Sequence, residues 1–95
     1  MNKTVADFIG AYLHVEVAYE DLGPTRELIA ALSPEYAGSL EEGFERLLRS
    51  RGLAAADYDG MTHIEFESDD ALYRYLQGVY DYLFRGAGAQ PRPPR

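Results

Sequence analysis

The sequence predicts a mainly α-helical single domain of four helices, and three observations carry that prediction. Apolar residues recur at three-and-four spacing in four stretches. Helix-starting residues, among them Ser33-Pro34 and Ser68-Asp69-Asp70, stand in front of two of those stretches. A chain of 95 residues, 46% of them apolar, has room for one modest core and no second domain.

The first helix begins at Thr4 as N-cap and places Val5, Phe8, Ile9, Tyr12 and Leu13 on one face. After Leu13 the pattern changes, because Val15, Val17 and Tyr19 alternate with His14, Glu16 and Ala18. This stretch reads equally as a short strand or as continued helix. Gly23-Pro24 opens a short helix carrying Leu28, Ile29 and Leu32. Ser33 then caps a longer one with Pro34 at its first position, where a missing N–H does no harm. That helix runs to about Arg51, buries Ala37, Leu40, Phe44, Leu47 and Leu48, and stops at Gly52. Gly38 and Gly43 weaken it by roughly 1 kcal/mol each relative to Ala. Glu42–Arg46 and Glu45–Arg49 have the spacing of helical ion pairs.

Residues 53–61 read as a connecting loop that turns at Asp59-Gly60. Thr62, Ile64 and Phe66 then alternate with His63, Glu65 and Glu67, a strand-like pattern. A small two-stranded β element made of residues 14–19 and 62–67 is therefore the open alternative within the helical fold. The last helix starts at Ser68 and buries Leu72, Tyr75, Leu76, Val79, Tyr80 and Leu83. The domain ends near Arg85, and residues 86–95, "GAGAQPRPPR", have the composition of a disordered Pro/Gly/Arg tail.

Composition also narrows the function. With no cysteine there is no disulfide, thiolate metal site or cysteine nucleophile. No G-x-S-x-G elbow, phosphate-cradling glycine loop, export signal or membrane span is visible, so the expectation is a non-catalytic, cytoplasmic protein. The net charge is −7, and over residues 1–85 it is −9. That field repels nucleic acid and favours a basic protein partner.

Two sets of residues stand out. The only histidines lie in matching tetrapeptides, His14-Val15-Glu16-Val17 and His63-Ile64-Glu65-Phe66. If both are extended, His14, Glu16, His63 and Glu65 are a possible zinc or iron set, although any amphipathic segment places polar residues two apart. Two edged apolar stripes are the preferred reading, with no metal and no cofactor. Asp57, Asp59 and Gly60 match part of a calcium loop but lack the acids it requires at positions 55 and 66.

The second set is acidic. Asp57, Asp59, Glu65, Glu67, Asp69 and Asp70 fall within fourteen residues that hold no Lys or Arg, next to Tyr58 and Tyr73. Tyrosine joins contact area to a polar tip, so these eight residues are the candidate binding surface for a basic protein.

The stretch "FIGAYLHVEVAYED" resembles the opening of small bacterial immunity proteins of contact-dependent growth inhibition systems. Phe8, Gly10, Ala11, Tyr12, Leu13 and His14 match their Phe-Gly-Ala-Tyr-Phe-His type motif. "ALSPEY" followed by "LEEGFERLL" is similar to the Ser-Pro-Glu helix of that family. After the histidine, Val15-Glu16-Val17 replaces the family's Gln-Asp-Trp. The resemblance implies a mostly helical protein that binds and blocks a cognate toxin domain, often a nuclease. Two other classes stand beside it: a small metal-binding protein or enzyme built on the His and Glu pairs, and a self-associating adaptor.

Overall fold

The structure, a computed structural model, describes residues 1–94. It contains five helices and, among the described residues, no strand: α1 (Lys3–Tyr12), α2 (Gly23–Ala31), α3 (Pro34–Ser50), α4 (Ala55–Thr62) and α5 (Asp69–Phe84). The mainly helical class matches the expectation, whereas the count of four and the β element do not.

α1 starts two residues earlier than its sequence suggests. Asn2 is the N-cap, its Oδ1 accepting from Val5 N–H at 2.8 Å, while the Thr4 hydroxyl accepts from Ser39 Oγ at 3.1 Å. Asn2 therefore satisfies an orphan amide and leaves Thr4 free to tie α1 to α3. Val5, Phe8, Ile9 and Leu13 are buried as their spacing requires.

α3 lies against α1, α2 and α5. Its Ser33-Pro34 start is as expected, with Ser33 Oγ accepting from Tyr36 N–H. It ends on Arg51, in the left-handed region at φ 52°, rather than on Gly52. A Cβ at Gly43 would lie 2.2 Å from Val5 Cγ2 and 2.6 Å from Asn2 Nδ2, so this glycine lets α1 approach α3 closely. Phe44 is the hub of the core, with its ring centroid 5.9 Å from Phe8, 6.5 Å from Tyr80 and 6.3 Å from Phe84. Glu42–Arg46 forms the expected pair at 2.6 Å, but Glu45 accepts from Tyr80 Oη at 2.6 Å instead of meeting Arg49.

α4 occupies the stretch that reads as a loop. Ala54 precedes it without a side-chain cap, and the first amide, Ala55 N–H, donates to Asp69 Oδ1 at 2.8 Å. Tyr58 and Thr62, one turn apart, anchor its buried side. Gly60 passes through the helix interior, and His63 supplies the left-handed C-cap at φ 61°. Two-residue turn logic at Asp59-Gly60 fails because packing and a remote carboxylate stabilise the helix.

Residues 14–19 form turns, with Val17 and Ala18 N–H both bonded to His14 C=O. Residues 63–67 are not helical, and among the described residues the one backbone bond between residues 14–19 and 62–67 is Val15 N–H to C=O of Thr62, the last residue of α4, at 2.8 Å. A single bond makes no ladder, which is why the two-stranded element does not exist.

α5 is the most deeply packed helix: Ser68 caps it, and all six residues of its expected stripe are buried, together with Tyr73 and Tyr82. α2 is the most peripheral. It buries only Ile29, leaves Leu28 and Leu32 exposed, and stacks the Arg26 guanidinium 4.8 Å from the Tyr82 ring centroid.

Residues 86–94 lie against the loop before α2 and the flank of α5. Gln90 Oε1 accepts from Leu22 N–H at 2.6 Å and its Nε2 donates to Glu20 C=O at 2.8 Å. A Cβ at Gly78 would sit 2.9 Å from Pro91, and the Tyr19 hydroxyl donates to Pro94 C=O.

Candidate functional site

The six carboxylates of residues 57–70 divide into two groups. Asp69 and Asp70 are engaged inside the molecule: Asp69 caps α4, and Asp70 pairs with Arg51 at 2.8 Å. The Arg51 guanidinium also lies 4.9 Å from the Tyr73 ring centroid. Tyr73 Oη in turn accepts from Leu53 N–H at 2.9 Å and donates to Leu53 C=O at 2.8 Å. One hydroxyl thus satisfies both backbone groups of a buried residue in the α3–α4 connection. Burial raises the Tyr73 pKa, opposed by the Leu53 backbone bond and by Arg51. Asp69, Asp70 and Tyr73 form a joint that locks α3, α4 and α5 together.

The expected contact role of the two tyrosines does not fit their positions. Tyr73 is 4% exposed and Tyr58 is 0% exposed, so neither ring presents a face to a partner. Tyr58 packs edge-on to Phe66 at 5.5 Å, and Phe66 lies 5.3 Å from Tyr75. The Tyr58 and Tyr75 hydroxyls are both buried and outside hydrogen-bonding geometry with any partner among the described residues, yet near enough to influence each other. Desolvation raises both pKa values well above the usual tyrosine range, keeping these hydroxyls protonated. Tyrosine composition alone does not separate a core ring from an interface ring.

Asp57, Asp59, Glu65 and Glu67 are the second group. Asp59 is half-buried and the other three are exposed. None of the four carboxylates has a hydrogen-bond or ion-pair partner among the described residues. Glu65 and Glu67 edge an open groove of about 820 Å³, within the size range of ligand sites. Residues 63–67 line the groove together with Tyr19, with Ala71, Arg74 and Tyr75 of α5, and with Arg92 and Pro94. The basic and tail residues of this groove were not singled out in the sequence. Arg74 belongs to a helix read only for its apolar stripe, and Arg92 and Pro94 belong to a segment with no periodic signal.

The two histidines do meet, with ring centroids 5.3 Å apart in an edge-to-face arrangement. His14 Nδ1 accepts from Glu16 N–H at 3.2 Å, which occupies one ring nitrogen with a local turn. Glu16 and Glu65 do not complete a site, because among the described residues no three His, Cys, Asp or Glu side chains could hold a metal ion together. No described helix is long and apolar enough to cross a membrane.

No family model, curated protein or solved structure matches the chain.

Proposed function

We propose that this chain is a non-catalytic inhibitor, an immunity protein of the contact-dependent growth inhibition type that binds and neutralises a basic, nuclease-type toxin domain in the cytoplasm of the producing cell. The observation that carries this reading is the set of four carboxylates, Asp57, Asp59, Glu65 and Glu67, that have no internal partner among the described residues, two of them, Glu65 and Glu67, lining an open groove. Unbalanced like charges in one short stretch repel one another, and a basic surface relieves that repulsion on binding. The net charge of −7 supports the same choice, because it accelerates encounter with a cationic protein. The resemblance of residues 8–14 and 33–48 to such immunity proteins is a third support.

Asp69 and Asp70 contribute long-range field in this reading, while Tyr58 and Tyr73 act through the fold. The test is capture from a lysate of producing cells at low and then high salt, with retained proteins identified by mass spectrometry. A basic toxin-type domain should be retained at low salt and released at high salt. Reversing the charge of Asp57, Asp59, Glu65 and Glu67 should abolish its retention. Unchanged affinity and salt dependence in that variant would overturn the proposal.

A further inference from the structure

Residues 63–67 have the side-chain alternation of a β-strand and no strand beside them. Ile64 and Phe66 are buried, whereas His63, Glu65 and Glu67 are exposed. The backbone shows the same unfinished state. Ile64 N–H is bonded to Thr62 Oγ1, but the amides of Glu65, Phe66 and Glu67 and the carbonyls of residues 63–67 have no intramolecular partner among the described residues. Beyond His63, which is left-handed, unpaired backbone whose side chains alternate between buried and exposed is a template for another chain.

The groove follows this template along its length, since Ile64, Glu65, Phe66 and Glu67 all line it. Beyond the left-handed His63, residues 64–67 extend for at most about 13 Å at about 3.3 Å per residue, enough for a guest segment of about four residues. The facing residues do not fill it from within. Tyr75, Ala71 and Arg74 belong to α5, whose backbone is committed to the helix, and Pro91, Pro93 and Pro94 in the flanking tail have no N–H to donate.

We propose that residues 64–67 are an acceptor strand, on which a partner protein lays an extended segment of alternating basic and apolar residues. Charge selects the basic positions. Residues opposite each other in a strand pair have Cβ atoms about 5 Å apart, so Lys or Arg on the guest reaches the unpaired Glu65 and Glu67 carboxylates. Residues between them turn toward the side where Ile64 and Phe66 are buried, which suits apolar side chains. Arg74 and Arg92, which line the same groove, oppose an unbroken basic run, so alternation is required and not merely tolerated. This inference deepens the inhibitor reading and rests on it for the nature of the partner.

The test uses the full chain, isotopically labelled for NMR, and a synthetic capped hexapeptide, acetyl-Lys-Val-Arg-Val-Lys-Val-amide. Two further peptides carry N-methyl groups on the first or the second set of alternate amides, with the charge unchanged. The expected result is chemical-shift change centred on residues 63–67, slowed hydrogen exchange at the amides of residues 65–67, and at least about tenfold weaker binding for one of the N-methylated peptides. The variant Glu65→Gln/Glu67→Gln, whose spectrum also reports its fold, should weaken the parent peptide by about tenfold. Equal binding of all three peptides, shift changes located elsewhere, or no binding at millimolar peptide would each overturn the acceptor strand. Protection of residues 65–67 without any toxin-type protein retained from lysate leaves the docking mode standing and removes the inhibitor reading. A retained toxin that leaves those amides unprotected does the reverse.

Discussion

The carboxylates at positions 69 and 70 and those at positions 65 and 67 are neighbours in the chain and all exposed, yet they serve the molecule differently. Asp69 holds the first amide of α4 and Asp70 holds Arg51, so removing either loosens a joint between helices. Glu65 and Glu67 have no side-chain partner among the described residues. Exposure is therefore a poor guide to function. The useful question is whether a polar group already has an internal partner.

The contrast is broken most severely at Tyr73, which closes the joint. Tyr73→Phe orphans the N–H and C=O of Leu53, and the expected loss is about 2–4 kcal/mol in urea unfolding. A loss under about 0.5 kcal/mol would mean that the hydroxyl is not the connector's partner.

Alkaline pH probes the other buried tyrosines. The folded-state pKa values of Tyr58 and Tyr75 are raised, so above pH 10 the unfolded chain releases their protons while the folded chain retains them. Their contribution is thus intact below about pH 10 and is lost as pH rises, at about 1.4 kcal/mol per pH unit for each tyrosine. In Tyr58→Phe/Tyr75→Phe the fall in stability measured between pH 9 and 11 should be shallower than in the parent.

Asp69→Ala removes the cap of α4, at an expected cost of about 1 kcal/mol. Amide exchange should show α4 opening ahead of the other helices. Asp70→Asn costs at most about 1 kcal/mol, because both partners are solvated, and the difference from the parent should vanish in concentrated salt. The smallest effect on stability sharpens the comparison from the other side. Changing Asp57, Asp59, Glu65 and Glu67 to their amides should shift stability by about 0.5 kcal/mol or less per site, with partner capture lost. A large drop in melting temperature for that variant would show that these carboxylates belong to the fold after all.

Where a helix signal is local, the sequence reveals it. Ser33-Pro34 and Ser68 announce α3 and α5, and the spacing from Leu72 to Leu83 gives the buried face of α5. Where the signal is distant, it does not. The cap of α4 lies fourteen residues downstream in Asp69, and two helices end on Arg51 and His63 in left-handed geometry that glycine would have advertised. The alternation at residues 62–67 correctly orders which side chains are buried, but alternation cannot reveal whether a neighbouring strand exists. The same limit applies to the site. Local composition locates the acidic stretch, whereas its division into engaged and free carboxylates depends on Arg51 and Ala55, which approach only in the folded chain.

The contact at Gly43 has a consequence for descent. A methyl group there would collide with the Val5 side chain and with the Asn2 amide that starts α1, whereas at Gly38, five residues earlier, it would meet nothing within 4 Å. A lineage that acquires a side chain at position 43 must shrink position 5 or begin α1 differently, so positions 2, 5 and 43 should drift as one inherited unit while position 38 wanders freely. Distant kin of this chain would be recognised by that linked triplet before they were recognised by their acidic surface, which is free to follow whatever it binds.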